Sequence, residues 1–520
     1  MIQSPSTEQL INADSPFDRV ENLSEIDVDI GYNRRNNTNE RLTINHLFAV
    51  LTAVTGTAFH FGYASGVMNN PQGVITQFIS ESYVKHHNNQ TLSPNTVTWI
   101  FSFSVSVFAL GGMIGGICSA FITDRFGRKG GMFLNNIVSI IAAIFMFISK
   151  IIGYYEVLII GRLLIGVSCG YGSSVAPTYI NEITPRRLRG TFGTTFQLGV
   201  VVILFLSQII TLEHILGGYN TWHYALGLTI VFSIAQVIML CFVPESPKYL
   251  LLMKGDTNKA EKALKWLRQN NNNESEINEM QSEQQTERVK IIDLFRQKPL
   301  AYALLITVIL QLSQQLSGIN AIFYYSKSIF LKANFSTHVA DYATLALGGT
   351  NIIVTVVSIF LIDRLGRRPL HLLGLTGIFI SSVILVISLL MKSTGWSYVS
   401  LISSIIFVVF FSIGPGSIPW LITAELFSQA PRAAASSVAV LANWSANFAV
   451  GIGFKPLFEY ILHEYTFLLF SGLLVFFILF TFFFVPETKA KTVNEIYDDI
   501  NNGKLWEQSL FRNRRANIAC

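Results

Sequence analysis

Gln314, Gln315, Asn320, Tyr324 and Tyr325 stand within one apolar stretch, "QQLSGINAIFYY", in a run that begins near Leu300 and meets no acidic residue before Asp341. A side-chain amide is donor and acceptor at once and carries no charge, and the same is true of a hydroxyl. A carboxylate-bearing or cationic solute would call for Arg, Lys, Asp or Glu at the same depth, and the sequence reads as having none there. The chemistry that fits is recognition of a neutral, polyhydroxylated solute by hydrogen bonds.

Further amides and an indole sit in other apolar stretches: Gln197, Asn351, Trp420, Asn443 and Asn447. Phe323, Tyr324, Tyr325 and Trp420 offer apolar faces to the C–H side of a ring. Gln314 and Asn320 do not share a face of a straight helix, but Gly318 between them, poor in helix propensity, lets the helix unwind so that both reach one ligand. "IGPGSIPW", Ile413 to Trp420, places Pro415, Gly416 and Pro419 in another span, where proline removes a backbone donor and makes a hinge. The competing assignment is structural: intramembrane Asn and Gln also tie helices together, and aromatics at a span end also form an interfacial belt.

A second constellation is charged. Asp124, Arg125 and Arg128 bracket a glycine in "TDRFGRK", as Asp363, Arg364 and Arg367 do in "IDRLGRR". Glu182 and Arg189 in "NEITPRRLRG" are echoed by Glu425 and Arg432 in "AELFSQAPRAA". Arg–carboxylate pairs supply a specific but reversible lock for a bundle that alternates between two open states. The alternative is that the arginines only set topology.

These residues need a scaffold, and the composition indicates which. Of 520 residues, 51% are hydrophobic and 13% charged, with a mean hydropathy of +0.45. A globular domain carries about 25% charged residues, so the chain reads as a polytopic membrane protein. Twelve apolar spans are predicted at 46–68, 97–122, 131–152, 157–180, 191–212, 223–243, 300–325, 341–362, 370–392, 397–423, 434–454 and 464–485. Residues 1–45, with eight Asp/Glu and four Arg, read as a disordered tail without a cleavable leader. Residues 244–299 form a polar linker whose "KAEKALKWL" is a short helix and whose 269–288 stretch is a flexible connector; 486–520 is a C-terminal tail.

Arginines cluster between spans 2 and 3, 4 and 5, and 8 and 9, which places both termini and the linker in the cytoplasm. The net charge of +5 is thereby explained without nucleic-acid binding. Of the four cysteines, Cys118, Cys169 and Cys241 fall in spans and Cys520 ends the chain. No CxxC, His/Cys cluster or HExxH is present, so neither metal nor other cofactor is expected. Asn89 in "NQT" falls in the loop after span 1 and is the expected glycan acceptor; Asn334 in "NFS" is a second candidate, and Asn443 in "NWS" lies inside a span.

The charged motifs, and "VPESP" at Pro244 with "VPETK" at Pro486, recur in one register of roughly 240 residues, the mark of an internal duplication. Two parallel six-helix halves follow, 46–243 and 300–485, with the solute site near the midplane between them.

With "FGYASGV", "DRFGRK", "GRLLIGVSCG", "TPRRLRG", "PESPKYL", "QLSQQLSGINAIFYYS", "DRLGRR", "GPGSIPW", "AELFSQAPR", "NWSANF" and "PETK", the chain resembles the sugar porter family of the major facilitator superfamily, and within it the facilitative glucose transporters. The resemblance covers residues 46–500. It implies an all-α, twelve-helix fold in the plasma membrane, uniport of D-glucose and related hexoses, and hydroxyl contacts from Gln197, Gln314, Gln315, Asn320, Asn351, Trp420 and Asn443. "QLS" at Gln311 to Ser313 is similar to glucose-preferring relatives. His60, Ala64, Ser412 and Ser417 stand where relatives often carry Gln, Asn, Glu and Pro. Proton-coupled relatives carry an Asp after "FGY", where this chain has Ala64. A proton symporter and a membrane sugar sensor remain the alternatives, and no nucleophile–base pair supports an enzyme.

Overall fold

The computed structural model describes residues 42–185, 188, 192–270, 274–282, 291–391, 393–489, 491 and 493–501. Among them every regular element is helical. In the first half α1 (Ile44–Thr55) and α2 (Ala58–Gly66) make one span, followed by α3 (Gln72–His86), α4 (Pro94–Ile152), α5 (Tyr155–Ile183), α6 (Thr195–Ile210), α7 (Trp222–Gly227) and α8 (Thr229–Phe242). The linker holds α9 (Pro247–Leu252), α10 (Thr257–Arg268), α11 (Glu274–Ser282) and α12 (Ile291–Arg296). The second half contains α13 (Lys298–Leu316), α14 (Ile319–Lys332), α15 (Thr337–Leu365), α16 (Arg367–Leu390), α17 (Thr394–Ile413), α18 (Ile418–Leu426), α19 (Gln429–Pro456) and α20 (Thr466–Phe484), and α21 (Val493–Asn501) follows.

Among the described residues ten helical stretches are long and apolar enough to cross a membrane, and Thr195–Ile210 is a shorter apolar one. Helix α4 counts twice: its 59 residues at about 1.5 Å each exceed two hydrocarbon thicknesses. Twelve crossings result. The second and third spans are two helices within α4, divided at Gly127, whose non-helical backbone with φ of +81° suits glycine.

Three local readings change. The stretch after the first span is no plain loop, because Ile75, Phe78, Ile79 and Ser82 of α3 are buried on one helical face. Part of the 269–288 connector is α11, held by Arg268 to Glu276 at 2.6 Å and by Ile277 and Met280 packed with Leu251, Ala260 and Leu264. The seventh span extends past 325 to Lys332, because α14 continues after the break. The proposed helix at "KAEKALKWL" is α10, capped by Asp256 on the Lys259 amide.

Glycine sets the closest helix contact. A Cβ on Gly166 or Gly170 of α5 would lie 2.0 Å from the Phe108 or Gly112 carbonyl of α4, and one on Gly115 would lie 2.0 Å from the Val167 carbonyl. The glycines of "GRLLIGVSCG" therefore bring two backbones together, as small residues do in membrane helix pairs.

The halves are fastened at the end remote from the charged turns. Asn69, just past α2, donates to the Phe323 carbonyl at 3.0 Å and to Ser326 Oγ at 2.6 Å. Thr98, at the start of α4, donates to Glu459 at 3.1 Å, beyond the end of α19. Trp444 of α19 packs on Phe61 and Phe108 of the first half, with centroids 5.1 and 5.2 Å away.

Candidate functional site

Gly318, with φ +93°, ends α13 and starts α14, so the chain breaks where the sequence places a flexible point. A side chain there would be strained twice over, by the positive φ and by Phe470, 2.9 Å from a Cβ. The tenth span breaks likewise, between Ile413 and Ile418. The two breaks face each other: Gln314 Nε2 donates to the carbonyls of Pro415 at 2.8 Å and Gly416 at 2.7 Å. Backbone acceptors released by an interrupted helix are thus satisfied by an amide of its neighbour.

Around this junction the structure gathers the predicted amides. Asn443 Nδ2 donates to Gln314 Oε1 at 2.7 Å and to Gln311 Oε1 at 2.8 Å. Gln315 Nε2 donates to Asn443 Oδ1 at 2.9 Å and to Gln314 Oε1 at 3.2 Å. Asn320 donates to Gln315 Oε1. Gln315 therefore links the residues on either side of the Gly318 break. Gln311 had entered the sequence reading only through "QLS"; its Nε2 is buried without a hydrogen-bond partner among the described residues, leaving a donor within the cluster.

The remaining candidates stand apart. Asn351 of α15 accepts from Ser412 Oγ at 2.8 Å, so Ser412 occupies an acceptor of a candidate sugar ligand. Trp420 is half-buried against the core. Gln197 is half-buried on α6 and joins the cluster through no hydrogen bond. Asn447 accepts from Tyr324 at 2.9 Å and Gly451 O from Tyr325 at 2.7 Å, so both tyrosines fasten helices within the second half.

One expectation is overturned. Charge is present at membrane depth: Arg162 of α5 is buried, donating to the carbonyls of Ala64 at 2.8 Å, Val105 at 3.1 Å and Ser104 at 3.3 Å, over the ring of Phe108. A lone arginine inside "GRLLIGV" was the available signal. Its cost is met by carbonyl dipoles, which leaves the pathway without a fixed carboxylate partner for it. His60 is fully buried in the first half, 3.0 Å from Ser233 Oγ and 3.2 Å from the Thr229 carbonyl.

The charged turns repeat in three dimensions. Arg128 pairs with Glu182 at 2.7 Å and Arg367 with Glu425 at 2.9 Å. Each pair joins residues of one half, so in this conformation it braces a half rather than bridging the two. Glu245 accepts from the amides of Arg128 and Lys129 at 3.0 and 3.1 Å, and Glu487 from those of Arg367 and Arg368 at 3.0 and 3.1 Å. A Cβ on Gly127 or Gly366 would strike these same carboxylates, at 2.2 and 2.7 Å. The two glutamates belong to "VPES" and "VPET", read in the sequence as a repeat marker only. Burial pushes the Glu245 carboxyl up, against the backbone amides that hold it down.

Arg432 donates to the Phe427 carbonyl at 2.9 Å, while Arg125 and Arg364 are exposed. Tyr249 reaches the carbonyls of Asp124 and Arg125 at 3.4 Å. Arg189, the tail residues 1–41 and 502–520, and the side chain of Asp363 lie outside the described residues.

A pair of helix bundles with broken helices meeting at an amide cluster defines a membrane transporter of the major facilitator fold. The structure resembles the Escherichia coli xylose transporter XylE in a partially occluded inward-open conformation, with a TM-score of 0.74 and 24% identity over 86% of this chain and 100% of that one. The proton:xylose symporter XylE bound to 6-bromo-6-deoxy-D-glucose gives 0.72 and 24% over 88% and 99%. The chain belongs to the sugar transporter family, whose description, "Sugar (and other) transporter", matches residues 48–499. It is 43% identical to facilitated glucose transporter member 1 of Gallus gallus over 88% of this chain and 93% of that protein. Against member 3 of Mus musculus and of Homo sapiens the identity is 44% and 42%, over 88% of this chain in each case. The chain is a multi-pass membrane transporter and not an enzyme.

Proposed function

We infer that this chain is a facilitative uniporter that carries D-glucose and related hexoses across the plasma membrane by alternating access. The observation that carries this reading is the 42–44% identity to facilitated glucose transporters along nearly their whole length. Gln311, Gln314, Gln315, Asn320 and Asn443 form the sugar site, with Asn351 and Trp420 of the same half beside it and Gln197 of the first half approaching the ligand as the halves close. Neutral amides suit hydroxyls, and their mutual hydrogen bonds hold them in place before the sugar arrives. Positive-inside placement puts the charged turns, the linker and both termini in the cytoplasm. The end fastened through Asn69 is then the outer mouth, and it is shut. Reconstituted into liposomes, the protein is expected to admit labelled D-glucose until both sides are equal; no uptake above empty liposomes would refute the reading.

In this scheme Arg128–Glu182 and Arg367–Glu425 keep each half rigid as it rocks. Arg367→Ala leaves Glu425 half-buried without its cation, which costs about 1–3 kcal/mol at a charge-assisted contact. The maximal uptake rate is expected to fall several-fold while equilibrium glucose binding stays near the parent value. Equal loss of binding would assign the arginine to the site instead.

Asn89 is exposed just past α3, with φ +61°, at the end assigned to the outside. Cells that glycosylate proteins are expected to yield a chain whose gel mobility rises after N-glycosidase, a shift lost in Asn89→Gln. Persistence of the shift would move the glycan to exposed Asn334, since Asn443 is buried.

A further inference from the structure

One ion pair at the seam between the halves is absorbed neither by the amide cluster nor by the charged turns. Lys327 stands on α14, seven residues beyond Asn320 and so two helical turns nearer the shut mouth. Its Nζ lies 2.8 Å from Asp341 Oδ1 on α15, and the two side chains are 10% and 5% exposed. The same ammonium donates to the Asn70 carbonyl of the first half at 3.1 Å. Around it the 69–72 turn grips α14: Asn69 Oδ1 accepts from the Lys327 amide at 3.3 Å, and Ser328 Oγ donates to Gln72 Oε1 at 2.7 Å. Asn70 is anchored in turn to the Gln208 carbonyl of α6 at 2.8 Å. One cation therefore joins α14, α15 and the first half. The neighbouring pairs Lys455–Glu459 and Lys332–Glu464 are looser, at 3.7 Å each.

We propose that Lys327 and Asp341 form a positioning pair that holds α14 across the outer mouth and sets how often this transporter faces outward. The proposal rests on the transport reading above. A buried pair contributes little net stability when intact, but removing one partner strands the other charge in a dry place. Stranding is costly only while the mouth is shut, because opening admits water to the residue that remains. Either single neutralisation therefore favours the outward-open arrangement. Replacing both residues by apolar ones strands nothing and returns the balance towards the parent. Loss of fold or of general packing does not produce that non-additive pattern.

The test places a reporter cysteine at Ser106 in a chain otherwise free of cysteine. Ser106 is fully buried, and a Cβ on Gly451 across the seam would lie 2.9 Å from it. Labelling by a membrane-impermeant maleimide from outside is followed in intact cells. Lys327→Met and Asp341→Asn are each expected to speed labelling about tenfold, the scale of a stranded charge only partly relieved by water. Lys327→Arg, which keeps the cation, and Lys327→Met/Asp341→Leu are expected to label nearly as slowly as the parent. Ser139→Cys, buried within the first half, controls for loosening and is expected to stay unlabelled in every background. Single variants that label like the parent, a double variant that labels faster than either, or a labelled Ser139→Cys would each overturn the proposal. D-glucose uptake by the parent separates the two claims: a parent that carries no glucose but shows the labelling pattern refutes uniport and keeps the latch.

Discussion

Gln314→Ala is expected to weaken glucose binding by roughly tenfold or more, as a rise in the half-saturating concentration with surface abundance unchanged. The side chain uses both ends. Its Nε2 holds the Pro415 and Gly416 carbonyls at 2.8 and 2.7 Å, and its Oε1 accepts from Asn443 at 2.7 Å. Truncation removes a hydroxyl partner and leaves two buried carbonyls unsatisfied, with Asn443 Nδ2 reduced to its Gln311 contact, and each unsatisfied carbonyl costs about 1–3 kcal/mol. Gln314→Glu tests the donor separately. A carboxylate keeps the acceptor but turns charge towards two carbonyl oxygens, so it is expected to bind no better than the alanine variant. Unchanged kinetics in both would remove Gln314 from the sugar site.

The second large effect concerns energy coupling, where uniport and symport differ in kind. With equal glucose on both sides of a liposome membrane and an inward proton gradient, no net accumulation is expected. Arg162 is solvated by carbonyl dipoles, and Ala64, which supplies one of them at 2.8 Å, has no carboxyl to load with a proton. The histidine nearest to it along the first span is His60, four residues earlier, held by Ser233 and Thr229 within one bundle. A proton carrier has to change exposure as the halves move, and a residue bonded wholly inside one rigid half has no cause to do so. Accumulation, or glucose-evoked proton uptake abolished by His60→Gln, would make the protein a symporter.

Much of the architecture was legible because it is written in local pattern. Runs of about 20 apolar residues give spans, and the breaks at Gly318 and at Pro415–Gly416 follow from what glycine and proline do to a helix. Helix α3 was less legible, because its buried face is set by neighbouring helices rather than by a strong periodic signal. Helix α11 was hidden in a polar stretch whose order comes from the Arg268–Glu276 pair and from packing on α9 and α10. At the site, the sequence supplied residue types without partners. It could not show that Gln315 reaches both Asn443 and Asn320.

The sequence by itself determined a duplicated, twelve-span membrane fold and its family, and it supplied a set of uncharged amides as candidates for the site. Hydropathy, helix breakers and repeated motifs act within a few residues and need no neighbour to be read. Only the tertiary structure decided that Glu245 and Glu487 close the turns at Gly127 and Gly366, that Arg162 rests on three carbonyls, and that Lys327 meets both Asp341 and the opposite half. Each of these depends on which residue from a distant helix arrives within about 3 Å, the reach of a hydrogen bond. That distance is fixed by how glycine-bearing helices pack and where they break, which no single segment contains.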